Sequence, residues 1–222
     1  MTGLSASPRL LKGGIVLLDP VSAAVRRVIA LQYNPDSLSR SLQVQAAGGA
    51  EGGGATRAEA LRLRGPAVET IRIEVEIDAA DRLGQPGAHP DTVAHGIFPD
   101  LAALETLVYP EAGALQANAA LARAGTLEIA PMEAPLALFV WSRSRIVPVR
   151  VAEMSVTEEA FDPLLNPIRA KVALSLRVLS VDDLGFGHRG GGLFMGYLQA
   201  KERLAALARQ PGLGALGLGA LP

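Results

Sequence analysis

The nine residues TIRIEVEID, Thr70 to Asp78, place an apolar side chain at every second position. Ile71, Ile73, Val75 and Ile77 share one side; Thr70, Arg72, Glu74, Glu76 and Asp78 share the other. A helix would scatter the four branched side chains around its axis, whereas a strand sends successive residues to opposite faces. A strand with one apolar and one charged face belongs in an antiparallel sheet, because parallel sheets are covered on both faces. KVALSLRVLSV repeats the pattern, with Val172, Leu174, Leu176 and Val178 inward and Lys171, Ser175 and Arg177 outward. LSRSLQVQ follows more weakly, with Leu38, Leu42 and Val44 set against Ser39, Ser41, Gln43 and Gln45.

Apolar runs GGIVLLD (13–19), RVIALQY (27–33) and PLALFVW (135–141) read as more deeply buried strands between turn residues. RIVPVRVAEMSV adds another, with Val147, Val149 and Val151 on one face. Pro148 has no N–H to donate to a ladder, which assigns that part to an edge or a bulge. The expectation is a mainly β protein of seven or eight antiparallel strands. Two segments carry helical spacing instead. One runs from Pro99 to Val108, with Leu101, Leu104, Leu107 and Val108 on one face and Pro110 as its stop. The other covers 193–209, with Phe194, Tyr197, Leu198, Leu204 and Ala205 on a stripe closed by Pro211. The chain thus divides into a sheet domain over 1–184, a Gly-rich linker over 185–192, and a C-terminal helix with a Gly/Leu-rich tail over 193–222. AAGGAEGGGATRAEA (46–60) reads as a mobile connection, and PGLGALGLGALP (211–222) as a tail disordered until something binds it.

A chain of 222 residues buries a sizeable core without cross-links. It has no cysteine, which excludes disulfides, thiol catalysis and Cys-ligated zinc. A net charge of −1 gives no nucleic-acid footprint. No apolar run is long enough to span a bilayer and no signal-peptide pattern opens the chain, so the expected site is the cytoplasm, without direct membrane insertion. GFGHRG (185–190) matches a dinucleotide fingerprint, but no second parallel strand or ribose-binding acid follows it. His89, His95 and His188 lack metal-ligand spacing. No nucleophile elbow, phosphate loop or calcium loop is present. No catalytic, cofactor-binding or metal residue is assigned, and no cofactor is expected. The reading points to binding or assembly.

VTEEAFDPLLNPIRAKV, Val156 to Val172, collects Glu158, Glu159 and Asp162 beside Pro163, Pro167, Arg169 and Lys171. Adjacent glutamates on a strand point to opposite faces and cannot share one substrate bond. The prolines and Asn166 mark a turn, so the stretch reads as a hairpin tip with Arg169 and Lys171 returning beside the outgoing glutamates. Trp141, the only tryptophan, ends an apolar strand and reads as a core or inter-subunit anchor. A glycan-stacking platform is the rival from another functional class.

Three blocks read together, ALQYNPDSLSRSLQ (30–43), DLAALETLVYP (100–110) and FVWSRSRIVPVRVAEMSVTEEAFDPLLNPIRAKVALSLRVLS (139–180), resemble the tube-type domain of contractile injection systems. These are the phage-tail-like syringes of bacteria, and the likeness is to the baseplate member that initiates the inner tube. The resemblance implies an antiparallel phage-tail-tube-like barrel or sandwich with one flanking helix and a C-terminal helix. It implies a homohexameric ring whose partners are the spike or hub protein, the inner tube protein and, through the C-terminal tail, the baseplate wedges. It also implies that the 156–172 hairpin reaches beyond the barrel to grip a neighbour, with Trp141, Glu158, Glu159, Phe161 and Arg169 as interface residues. A C-terminal LysM module is usual in that family and is missing here. A terminator ring at the other end of the tube is the alternative within assembly proteins.

Overall fold

Alternation becomes burial along the fourth strand. In the computed structural model, which describes residues 11–19, 22–46, 61–125, 134–209 and 211–221, Ile71, Ile73, Val75 and Ile77 are buried and Arg72, Glu74 and Glu76 exposed. Seven strands form one antiparallel sheet among the described residues: β1 (Gly14–Leu18), β2 (Val25–Ala30), β3 (Leu38–Gln43), β4 (Val68–Asp78), β5 (Leu136–Ser142), β6 (Arg145–Phe161) and β7 (Pro167–Val178). Their spatial order is β2-β1-β5-β6-β7-β4-β3. Helices α1 (Ala80–Leu83), α2 (Pro90–His95), α3 (Phe98–Glu105) and α4 (Ala112–Arg123) fill the connection from β4 to β5. After β7 come α5 (Val181–Leu184) and α6 (Arg189–Ala206). The protein is mainly β and antiparallel, as the alternation requires.

β1 and β4 stand four places apart in the sheet, yet Ile15 and Leu17 of β1 share one core cluster with Ile71, Ile73 and Ile77 of β4. Phe139, Val147, Val172, Leu174 and Leu176 line the same core, and Leu101 and Leu104 of α3 cap it. The sheet must therefore curl so that its two wings face each other. A side chain bridges the curl: the Gln32 amide donates to the Asp78 carbonyl at 2.8 Å and accepts from the Asp78 N–H at 2.9 Å. Gln32 thereby replaces a backbone rung between the segment after β2 and the end of β4.

Three details depart from the sequence reading. The run 27–33 is not a deeply buried strand. β2 is an end strand with only β1 beside it, and Val25 and Val28 are exposed. Leu42 and Val44 lie in the expected phase but are likewise exposed, because β3 is the opposite end strand. Pro148 sits where β6 has β5 on one side only, because the β6–β7 ladder begins at Val149, so the expected edge holds locally although β6 is central in the strand order. It is tolerated because its carbonyl, and hence the ring nitrogen where a donor would be, points to the β7 side, and β7 ends at Val178. Finally, 185–192 is no spacer between two bodies. His188 caps α6, whose first turn includes Gly190 and Gly191, and these pack against Leu184 and the Gly185 carbonyl. Phe194 and Tyr197 then join the sheet's own core.

The α3 helix starts where Pro99 places it but ends at Glu105, so Leu107 and Val108 lie in the turn beyond it. α4, an alanine-rich helix of 12 residues with none buried, had no counterpart in the sequence reading. The glycine-rich stretch 47–60 lies outside the described residues, and 211–221 form an exposed segment with one 3-10 turn at Leu213–Leu216.

Candidate assembly interface

The β6–β7 pair is the longest ladder in the sheet, and its two halves differ. β5 pairs only with Arg145–Val149 of β6. From Arg150 to Phe161, β6 has β7 on one side and no described strand on the other. A free edge of this length carries unpaired N–H and C=O groups that template pairing with another chain unless something covers it.

Within this half, a register shift between Glu158 and Ala160 sets Glu159 outside the regular pairing. Its carboxylate still meets Lys171 at 3.1 Å, and that hydrogen bond raises the lysine's pKa. Arg169 does not return to the glutamates as the sequence suggested. Its Nε donates to Asp78 at 2.6 Å and lies 3.8 Å from Glu76, both on β4. Burial pushes the Asp78 carboxyl up, but the Ala80 N–H and Arg169 more than offset this and hold it below the usual carboxylate range. Glu158 is exposed and makes no ion pair among the described residues.

The turn is built by Asp162. Its carboxylate accepts from the Leu164 N–H at 2.7 Å, the Asn166 N–H at 2.9 Å and the Asn166 side-chain amide at 2.8 Å. The Asn166 amide is the main cause of the lowered Asp162 pKa. Leu165 adopts φ 66°, a left-handed conformation that costs a residue with a Cβ. Leu164 and Leu165 are nevertheless 79% and 76% exposed, with Phe161 half exposed beside them.

The hairpin does not reach freely past the sheet, as the family resemblance implied. β4 accompanies β7 down to Arg169, the Ile97 N–H donates to the Pro167 carbonyl at 2.8 Å, and the Asn166 amide donates to Ala94 O at 3.3 Å. Gly96, at φ 60°, lets the α2–α3 turn press on the Pro167 carbonyl where a Cβ would clash. What no described strand pairs is the outer edge of β6 beyond Val149, and what stays exposed is the apolar tip.

Glu158, Glu159, Phe161 and Arg169 therefore gather around one end of the β6–β7 ladder. Trp141 lies at the other end. It is half-buried, stacked on Phe139 with centroids 5.8 Å apart, and its ring covers Gly13 so closely that no Cβ would fit there.

A second polar centre escaped the sequence reading. Glu69, only 3% exposed, receives Arg40 Nε at 2.6 Å, Lys201 Nζ at 2.9 Å and the Tyr197 hydroxyl at 3.0 Å. Burial pushes the Glu69 carboxyl up, but the two cations win and hold it below its ordinary value. Burial likewise raises Tyr197. The cluster locks α6 onto β3 and β4, with Lys201 also 4.1 Å above the Tyr197 ring. The signal was present: Glu69 has the same odd parity as Ile71 and Ile73, so the alternation itself sends this carboxylate inward.

These groups satisfy one another. Among the described residues no cluster of three or more His, Asp or Glu is arranged to hold a metal ion, and no helix is long and apolar enough to cross a membrane. No model of a known protein family matches the chain, and no curated protein matches it either.

Proposed function

We propose that this chain is a non-enzymatic structural component of a contractile injection system, a hexameric ring that joins the spike or hub to the inner tube and templates tube assembly. The observation that carries this reading is the second half of β6: from Arg150 to Phe161 its side away from β7 pairs with no described strand, and it ends in an apolar, internally braced tip. A closed cyclic assembly covers such edges, which a monomer must otherwise protect. The curled mainly β sheet, with α3 and α6 both packed against its core, is compatible with the tube-type domain that the three sequence blocks resemble. The wedges would be met through the tail after α6, and the assembled ring would belong to a cytoplasmic particle.

Negative-stain imaging of the purified protein mixed with its candidate spike, classified for rotational symmetry, tests this. Six-fold rings capping the spike are the expected result. Particles that never join the spike remove the adaptor assignment. Direct glycan titration that is saturable and lost in Trp141→Ala would replace it with carbohydrate binding.

A further inference from the structure

The end of the molecule opposite the hairpin tip carries a groove of about 580 Å³ between α6 and the β5–β6 turn. Ile146, Leu193, Leu204 and Leu207 give it apolar walls, and Gly192 and Gly196 lie along its floor. These glycines differ from the two just before them. A Cβ on Gly190 or Gly191 would strike Leu184 or the Gly185 carbonyl, so the fold needs glycine there. A Cβ on Gly192 or Gly196 would meet nothing within 4 Å. Glycine inside a helix is unfavourable relative to alanine, and no described atom requires it at these two positions. Without a Cβ there the groove is deeper.

The charged side chains lining the groove are Arg143 and Arg203, both exposed and neither in an ion pair among the described residues. The hairpin tip has the complementary character. Leu164 and Leu165 are exposed on it, and Glu158 on the same hairpin is exposed and in no ion pair among the described residues. Groove and tip lie at opposite ends of one strand: β6 starts at Arg145 beside the groove and finishes at Phe161 beside the tip. At about 3.3 Å per residue its 17 residues hold them roughly 50 Å apart, so the tip cannot fold back into its own groove.

We propose that the Asp162–Asn166 tip of one copy seats Leu164 and Leu165 in the α6 groove of a second copy, with Glu158 facing Arg143 and Arg203. This inference rests on the self-assembly reading above and names the contact that joins the copies. The contact is heterologous, because different patches of the two copies meet, and repeated head to tail it closes into a ring when the rotation permits. The strained left-handed Leu165 fits this role, since the turn fixes both leucines before binding and spares the cost of ordering them.

The chain has no cysteine, which makes the test direct. Leu164→Cys and Gly196→Cys are made as separate proteins, mixed and oxidised, and read by non-reducing electrophoresis beside each alone. A covalent pair only in the mixture is the expected result; no pair in the mixture overturns the proposal. In parallel, light scattering follows self-association of Leu164→Asp and of Gly196→Phe, which fills the groove from open space without touching the core. Each should weaken association roughly thirty-fold or more, the scale of a hot-spot contact. If either associates like the unaltered chain, the proposal falls. Loss of association on deleting 211–222, with both tip and groove variants behaving normally, gives the groove to the chain's own tail and also overturns it. Copies that cross-link as described but count other than six sink the hexameric ring reading and leave this contact standing. Six-fold rings without the cross-link do the reverse.

Discussion

β6 is one strand with two environments. From Arg145 to Val149 it pairs with β5, its ladder with β7 beginning only at Val149, and Val147 and Val149 are almost fully buried. From Arg150 to Phe161 β7 is its one described partner strand, and Met154 and Val156 are only half covered. The first half holds the fold together, while the second is held by the fold and offered outward. Burial of apolar area, the dominant favourable term in folding, is concentrated in one half, so mutations there should be read as stability and mutations in the other as association.

The sharpest break of this comparison comes from Phe139, which lies opposite Val147 and is fully buried. Phe139→Ala should cost about 3–5 kcal/mol in urea denaturation, the range for emptying a large core site. If Phe161→Ala, at the far end of β6, cost as much, the two halves would not differ as described.

Next in size is Glu69. Glu69→Gln removes the charge that Arg40 and Lys201 share, and since both cations are partly exposed and can rehydrate, about 2 kcal/mol is expected at neutral pH. Its pH dependence follows from the sign of the shift. Glu69 and Asp78 both have folded pKa values below their ordinary ones. The stability they contribute is therefore fully present above the ordinary carboxylate range of about 4 and is lost as pH falls through the lowered values. Thermal unfolding followed from neutral to about pH 2 should show the gap between Glu69→Gln and the unaltered protein closing on the acid side. A gap that is constant with pH would mean that the loss is one of packing and not of charge.

Gln32→Ala should be milder, about 1–2 kcal/mol for two hydrogen bonds to backbone groups that water can partly replace. Its more specific mark is faster hydrogen exchange at the Asp78 amide, with β6 and β7 amides unchanged. Equal acceleration throughout the sheet would show that Gln32 does more than join the two wings. The smallest effect belongs to the tip. Leu164→Asp, at a side chain 79% exposed, should change stability by less than about 0.5 kcal/mol while disrupting self-association.

Local chemistry determined much of this protein before any long-range contact was considered. The period of two in 70–78 and 171–178 gave the strands, the buried face and the antiparallel class, because side-chain direction along a strand depends only on the chain itself. Asp162, Pro163, Asn166 and Pro167 encoded the hairpin turn, and Pro99 with the spaced leucines encoded α3, because caps and turns act within a few residues. Glu158, Glu159 and Phe161 were recognisable as belonging to one hairpin end.

Only the tertiary structure decided which strands lie at the ends of the sheet. RVIALQY has the composition of a buried strand, yet β2 is exposed because strand order depends on pairings between distant segments that periodicity does not carry. The same holds for Arg169, whose partner was settled by β4 lying alongside β7, and for Glu69, which meets Tyr197 across 128 positions of sequence. Gly190 and Gly191 read as a linker in the sequence and pack against Leu184 and the Gly185 carbonyl in the fold, whereas Gly192 and Gly196 face space that the described residues leave empty. A sequence sets the direction of each side chain locally, but what that side chain meets depends on contacts closed across the whole chain.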